Sequence, residues 1–530
     1  MESGARGQAR PPVRAARDQP MNSMKSGVSR AMFSILTDRR RLMAGAASLA
    51  AAYAFTGHGR AQQAAKSSSG PELSPLAGRL ADYVHGLGYA DIDAGTIEAV
   101  KLRLVDTIGC ALAALDEPVV ANCFRIARTA GDGTSTLIGT RHRTSAEMAA
   151  FANGAAMRYY DLNDGYASKE VGHPSDFVAV CLAVAQAEGR SVRDFIVSVV
   201  AAYEIECRLF DAVSLNARGW DNTTYGVVTA ALAAGKLMGL AVDRLTQAVN
   251  IALVDHVAMN QTRVQVLSNW KGLADASASR HGVFAAILAR EGITGPSPIF
   301  EGRFGLNRQV AGEDIVVDTS TFGGHGRPFR INDVLVKPYP AQGHTLTAVE
   351  AAIRLSGKIG DRGAIAKVNV ATTQFGYKQT ATGPDVWAPA TKETADHSMP
   401  YIVARALLDG TITNASYAPE RLATPDVRAL MARIEIAEDP ALTALYPRQI
   451  PNRVAVTLRS GEVFSEQVDD LPGSPRRPLT REDIAAKFWR NVGSRTPTTD
   501  ARLRQVLDFV WNLEHEDKLD RLFELLVAER

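Results

Sequence analysis

The spacing of apolar residues changes twice along this chain of 530 residues, and that limits what it can fold into. From about Pro75 to Asn332 they recur every three or four positions, the period of helices with one buried face. Helices are predicted at Thr96–Leu115, Val192–Phe210, Thr224–Met238, Val242–Val254 and Ala274–Arg290, most of them alanine-rich and suited to close packing. Near Val336 the period falls to two. Val368-Asn369-Val370 and Ile434-Glu435-Ile436 alternate, with a helix near Tyr401–Leu408 between them, and Arg453–Val468 reads as a hairpin around Ser460-Gly461. Helical spacing returns at Thr480–Asn491 and Thr499–Glu529. The pattern predicts a mostly α fold with an α+β insertion. A large all-helical domain, 73–331, is interrupted by a smaller α+β lid domain, 332–470, and completed by a returning segment, 471–530.

Residues 1–72 stand apart. Residues 1–36 are rich in Arg, Gly, Ser and Pro without apolar period, the composition of a disordered segment. Arg39-Arg40-Arg41, the apolar run Met43–Phe55 and the small residues of Gly59-Arg60-Ala61 resemble a twin-arginine export signal, followed by a polar linker. They predict a periplasmic protein. The run is too short for a permanent membrane anchor. The alternative is a cytoplasmic chain started at Met21, Met24 or Met32, with the alanine-rich run as an amphipathic segment.

With 46% hydrophobic and 22% charged residues the chain has the balance of a globular protein. A net charge of +2 supplies no field to recruit nucleic acid or anionic lipid, so any anion site is local. Cys110, Cys123, Cys181 and Cys207 lie far apart in apolar stretches and read as buried small hydrophobes. No cysteine triplet suits an iron–sulfur cluster and no glycine loop suits a nucleotide, so neither a cofactor nor a metal is expected.

Four polar clusters can carry chemistry. Asp161-Leu162-Asn163-Asp164-Gly165 precedes Gly172-His173-Pro174-Ser175-Asp176, which places His173 at a helix entrance where free N–H groups attract anions. Asn260-Gln261-Thr262-Arg263 and Ser268-Asn269-Trp270-Lys271-Gly272 set two cations around a break before a helix carrying Arg280, a possible clamp for carboxylates. Lys337-Pro338-Tyr339-Pro340-Ala341-Gln342-Gly343-His344 forms a rigid polar bend, and Asp396-His397-Ser398-Met399-Pro400-Tyr401 a further helix start. Each is equally readable as a cap, a hinge or a solvated surface. None is specific alone.

In order along the chain, however, these spellings resemble the MmgE/PrpD family, from about residue 75 to 490. The resemblance extends through Lys392-Glu393-Thr394-Ala395-Asp396-His397-Ser398, Ala406-Leu407-Leu408-Asp409-Gly410 and Tyr446-Pro447 to Arg453. It implies the same helical domain and lid, a cleft site and a homodimer. Its implied activity is a metal-independent hydro-lyase acting on a citrate-like hydroxy-polycarboxylate such as 2-methylcitrate. An epimerase or decarboxylase on a related acid is the alternative, and an exported carboxylate-binding protein without catalysis a third reading. Implied acid/base residues are His173 and His344, oriented by Asp161 and Asp164 and helped by Tyr401. Lys271 would stabilise developing charge, and Arg263, Lys337, Gln342, Arg280 and Asn163 would bind substrate. Three departures from the family spelling fall in these runs: Gly165 replaces a threonine, Asn222 a frequent site histidine, and Gln342 the hinge histidine of decarboxylases.

Overall fold

A computed structural model describes residues 74–493 and 498–527. The export-signal reading of residues 1–72 therefore lies outside the described residues. Two apolar cores divide the chain. The first is built from residues between Leu76 and Val336 together with Ile484–Leu526, and the second from residues between Ala341 and Leu471. The fold is mostly helical with a strand-containing α+β part.

The first core is packed by α1 (Leu76–Gly86), α2 (Ala94–Ala114), α3 (Pro118–Arg128), α4 (Ala146–Arg158), α5 (Val178–Ala187), α6 (Val192–Ala212), α7 (Thr223–Leu237), α8 (Val242–Asp255) and α9 (Ala274–Arg290). Asp93 caps α2 by accepting from Thr96 N at 2.9 Å, and Ser191 with Asp194 forms a capping box on α6. Helix α5 is apolar all round and runs buried, whereas α6 and α8 keep a polar face. Small residues bring α9 against α7: a Cβ on Gly282 would stand 2.3 Å from Ala230 Cβ. That approach fixes the start of α9, and with it Lys271 and Asp275.

The helical pattern expected up to Asn332 fails beyond α9. Residues 291–329 run as loops and short turns, because Gly292, Gly312, Gly324 and Gly326 take positive φ and Pro296 and Pro298 lack the N–H a helix needs. Two short ribbons also interrupt the helices, β1–β2 (Ser135–Thr136, Arg143–Thr144) and β3–β4 (Tyr166–Ala167, Val171–Gly172). The β3–β4 ribbon folds the acidic loop back on His173.

The second core contains β5 (Ile365–Thr372), β6 (Ile434–Glu438), β7 (Asn452–Leu458) and β8 (Val463–Val468) in the order β6-β5-β7-β8. Strands β5 and β6 are parallel, with Val368 opposite Ile434, and the other pairs are antiparallel. Gly461, at φ +90°, supplies the hairpin turn. Helix α10 (Leu346–Lys358) packs on β7 and β8, α12 (Met399–Asp409) packs on α10, α11 (Gln374–Thr380) touches β6, and α13 (Pro425–Met431) packs on α12.

The chain then returns through α14 (Arg481–Val492), α15 (Asp500–Trp511) and α16 (Asp520–Leu526). The single helix expected over Thr499–Glu529 is broken between α15 and α16, where Asn512 closes the first helix; residues 528–530 lie outside the description. Phe488 of α14 lies 3.0 Å from where a Cβ on Gly109 of α2 would be, so glycine permits the contact. Lys487, buried, pairs with Asp106 at 2.5 Å and donates to Leu162 O at 2.8 Å. The returning helix thus braces the acidic loop. All four cysteines are free and buried, as their apolar surroundings suggested. Among the described residues no helix is long and apolar enough to cross a membrane.

Removing one partner of a buried ion pair leaves an uncompensated charge, so Lys487→Met should lower urea stability by about 3–5 kcal/mol. Adding Asp106→Leu should recover most of that loss. A Lys487→Met variant as stable as the parent would remove the pair from the account of how α14 is held.

Candidate functional site

A cavity of about 540 Å³ opens between these elements, lined from one side by Asp161, His173, Arg263 and Lys337 and from the other by Gln342, His344 and His397. Its floor begins where α4 ends. Two residues past Arg158 and Tyr159 the backbone turns at Asp161, which takes φ +53°, a left-handed conformation that aspartate tolerates at a cost on the order of 1 kcal/mol. The turn buries the Asp161 carboxylate among cations. Arg158 pairs with it, Lys337 Nζ lies 2.8 Å from Oδ1, and Lys271 Nζ lies 3.1 Å from Oδ2. Lys337 is delivered there because Gly165 and Leu335 exchange backbone hydrogen bonds at 2.8 Å, joining the acidic loop to the interdomain bend.

Asp164 and Asn163 work behind this wall. Asp164 Oδ1 accepts from Ser175 N at 3.1 Å and Ser175 Oγ at 2.7 Å, and Oδ2 accepts from Tyr203 at 2.7 Å. Asn163 Nδ2 donates to Ser175 Oγ at 3.0 Å and to Asp176 at 2.6 Å. Together they hold the turn Pro174–Phe177, a 3₁₀ turn where a regular helix start was expected, with His173 at its entrance. His173 Nδ1 lies 2.6 Å from Asp164 O. A carbonyl only accepts, so Nδ1 carries the proton and Nε2 keeps its lone pair. Nε2 lies 3.8 Å from Asp161 Oδ1.

From the second core come His344 and the pair Asp396–His397. His344 packs against Phe375, with ring centroids 4.7 Å apart and the planes tilted by 40°, and its Nδ1 is buried without a hydrogen-bond partner among the described residues. His397 Nδ1 lies 2.6 Å from Asp396 Oδ1, and Asp396 also accepts from Lys271 at 3.1 Å and Lys392 at 2.9 Å. Arg263 is held by Asp221 at 2.8 Å and Asp275 at 3.1 Å, so its fork is engaged by protein carboxylates even where it meets the cavity.

Charge follows from this packing. Burial pushes Asp161 up, but Arg158, Lys271 and Lys337 overcome it and hold the carboxyl well below its ordinary range. Burial pushes Lys337 down to about 8, with Asp161 opposing and Arg158 adding to the shift. Burial, then Arg158 and Lys337, keep His173 well below its usual value; burial puts His344 at about 4 and, with Lys271, lowers His397. Burial, then Asp275, pushes Asp176 well up, which weakens the negative side of the cluster. The site thus offers neutral imidazoles beside partly compensated cations, a setting for proton transfer next to a bound carboxylate.

Three expected residues are placed differently. Tyr401 is buried in the second core, its hydroxyl donating to Ser416 O at 2.6 Å, and it does not line the cavity. Arg280 is exposed on α9 and absent from the cavity lining, because each helical residue is rotated by about 100° from the one before and the buried side there is taken by Ser279. Lys271 sits behind the wall between two carboxylates, so it acts on the cavity through Asp161 and Asp396. The sequence reading missed Arg158, which no motif marks. It also read Asp396-His397 as a helix start, although a histidine beside an aspartate was the available signal. Asp161, Asp396 and His397 bring potential metal-ligating atoms within 4.8 Å of one another. Lys271 Nζ stands between the two carboxylates, where an ion would have to displace an ammonium.

Comparison with known proteins gives the class to which this helical core, strand-containing second core and cavity rich in buried cations belong. Residues 78–317 match the MmgE/PrpD N-terminal domain and residues 339–513 the MmgE/PrpD C-terminal domain. A 2-methylcitrate dehydratase of Cupriavidus necator is 30% identical over 457 residues, covering 79% of this chain and 90% of that protein. One of Salmonella typhimurium is 29% identical over 453 residues, covering 79% and 90%. The cis-aconitate decarboxylase of Homo sapiens is 25% identical over 474 residues, covering 86% and 95%. The chain belongs to the MmgE/PrpD family, and at the level of that family it is a lyase-type enzyme.

Lys337 is protonated below about pH 8 and loses its charge above it. Citrate affinity measured calorimetrically should therefore fall as pH rises through 8, by about tenfold for each further unit if this one proton governs binding. Lys337→Gln should bind weakly and without that slope. An affinity constant from pH 7 to 9.5 in the parent would contradict the assignment.

Proposed function

We propose that this chain is a metal-independent hydro-lyase that removes water from a citrate-like hydroxy-polycarboxylate such as 2-methylcitrate. The observation that carries the reading is the fixed tautomer of His173: Nδ1 is tied to Asp164 O and Nε2 is left as a base beside Lys337. His173 Nε2 takes the proton α to a carboxylate. Lys337 and Arg158 line the cavity where the resulting aci-carboxylate charge develops, and Lys271 keeps Asp161 and Asp396 in place behind them. The departing hydroxyl needs a proton, and the opposite part of the wall offers His344 and His397.

A second reading, epimerisation or decarboxylation of a related acid, draws support from Asn222 in the cavity wall, an amide that cannot take up a proton where the family spelling often has a histidine. Support for the expected homodimer comes from exposed Val254, Val257, Met259, Val266, Trp270 and Phe284, all on α8, α9 and the segment between them.

Incubating the protein with citrate-like acids in D2O and following products by NMR separates these readings. Water loss supports the hydro-lyase; CO2 loss or deuterium exchange without net change supports the second reading. His173→Asn should lower kcat by roughly 10²–10⁴, the usual worth of a positioned base, with little change in Tm. Near-parental turnover by folded His173→Asn protein would overturn the base assignment.

A further inference from the structure

His344 and His397 both reach the cavity, but their surroundings differ. His344 is packed on Phe375 and 5.5 Å from the Tyr446 ring, and among the described residues its Nδ1 has no hydrogen-bond partner and no carboxylate is paired with the ring. Nothing there compensates an imidazolium. His397 has Asp396 at 2.6 Å, and one of its nitrogens lies within 4.8 Å of an Asp161 oxygen. Asp161 is also the carboxylate that His173 Nε2 approaches, at 3.8 Å. Two imidazoles, one from each core, therefore flank one buried carboxylate.

We propose that His397, held by Asp396, is the second proton carrier of the site and gives the departing hydroxyl its proton. The assignment rests on the hydro-lyase reading above and names the acid that it needs. Asp396 accepts from Nδ1–H, so Nε2 is the atom that carries and delivers the transferable proton. The C–H electron pair first moves into the carboxylate as an aci-carboxylate, then returns to form the double bond as the C–O bond breaks. His173 Nε2 receives the carbon proton, His397 Nε2 delivers a proton to the leaving oxygen, and water departs. The products are an unsaturated acid, one water, protonated His173 and neutral His397; exchange with solvent restores both.

The groups that face His397 set its charge. Lys271 opposes a proton on the ring, and Asp396 and Asp161 favour one, while Lys392 occupies the other side of Asp396. A polycarboxylate bound in the cavity that His397 lines adds negative charge near the ring and so tips His397 toward imidazolium only when substrate is present. This ordering matches need: the acid is charged when there is a hydroxyl to protonate.

The test compares the parent with His397→Asn on 2-methylcitrate in D2O, with Tm as the check on folding; Asn keeps a donor for Asp396. The expected result is a loss of roughly 10²–10⁴ in water elimination while deuterium still enters the substrate carbon through His173. Retained elimination overturns the assignment. Loss of both exchange and elimination in a variant that melts like the parent moves His397 to the carbon proton and also overturns it. A second readout needs no turnover. The chain has ten histidines, so the His397 ring resonances can be found by difference in 15N spectra of parent and variant. Citrate should shift them toward the imidazolium, and resonances unmoved at saturating citrate would overturn the proposal. A parent protein that binds citrate and shifts His397 but eliminates water from no acid would sink the hydro-lyase reading alone.

Discussion

The structure of the site depends on one buried carboxylate. Asp161 is shared by Arg158 from the end of α4, Lys271 from the turn before α9 and Lys337 from the bend into the second core. Those three cations come from positions far apart in the sequence, and each would be costly to bury alone. Their common partner makes burial tolerable and fixes where they stop. The left-handed backbone at Asp161 is part of the same constraint, since it aims the carboxylate inward.

Other contacts tie this hub to the two cores. Asp164 orients His173, Leu335 pairs with Gly165, and Lys487 reaches Leu162 from the returning helix. The cavity wall is therefore assembled from the helical core, the bend and α14 together, while Asp396 links Lys271 to the elements of the second core. Such a site is pre-organised before substrate arrives. Dipoles and charges set in advance need little rearrangement as charge develops.

Much of this was legible in the residues because periodicity survives tertiary packing. Helix α9 was read with its observed bounds, and the β7–β8 hairpin followed from alternation around Ser460-Gly461. Asp161, His173, Lys337 and His344 were legible as motifs, since rigid turns place them near where their spacing suggests. What escaped depends on three-dimensional direction. Tyr401 sits on a helix whose inward face is the core of the second unit, and α12's capping residue Ser398 only locates its start. Arg280 has the right neighbours in sequence and the wrong face of α9. Arg158 carries no motif, and its role appears only when the next turn brings Asp161 onto it. Lys271, read as stabilising developing charge, stands behind the cavity wall for a related reason: its ammonium is already paired with two carboxylates at 3.1 Å.

The central claim is that the Asp161 carboxylate holds the buried cations of the cavity wall. Urea denaturation of Asp161→Asn tests it most directly, because the amide preserves shape while removing the charge. The account predicts a loss of about 3–5 kcal/mol, the cost of leaving buried charges without their partner. A loss of less than about 1 kcal/mol, within the range of ordinary surface substitutions and small repacking, would contradict it.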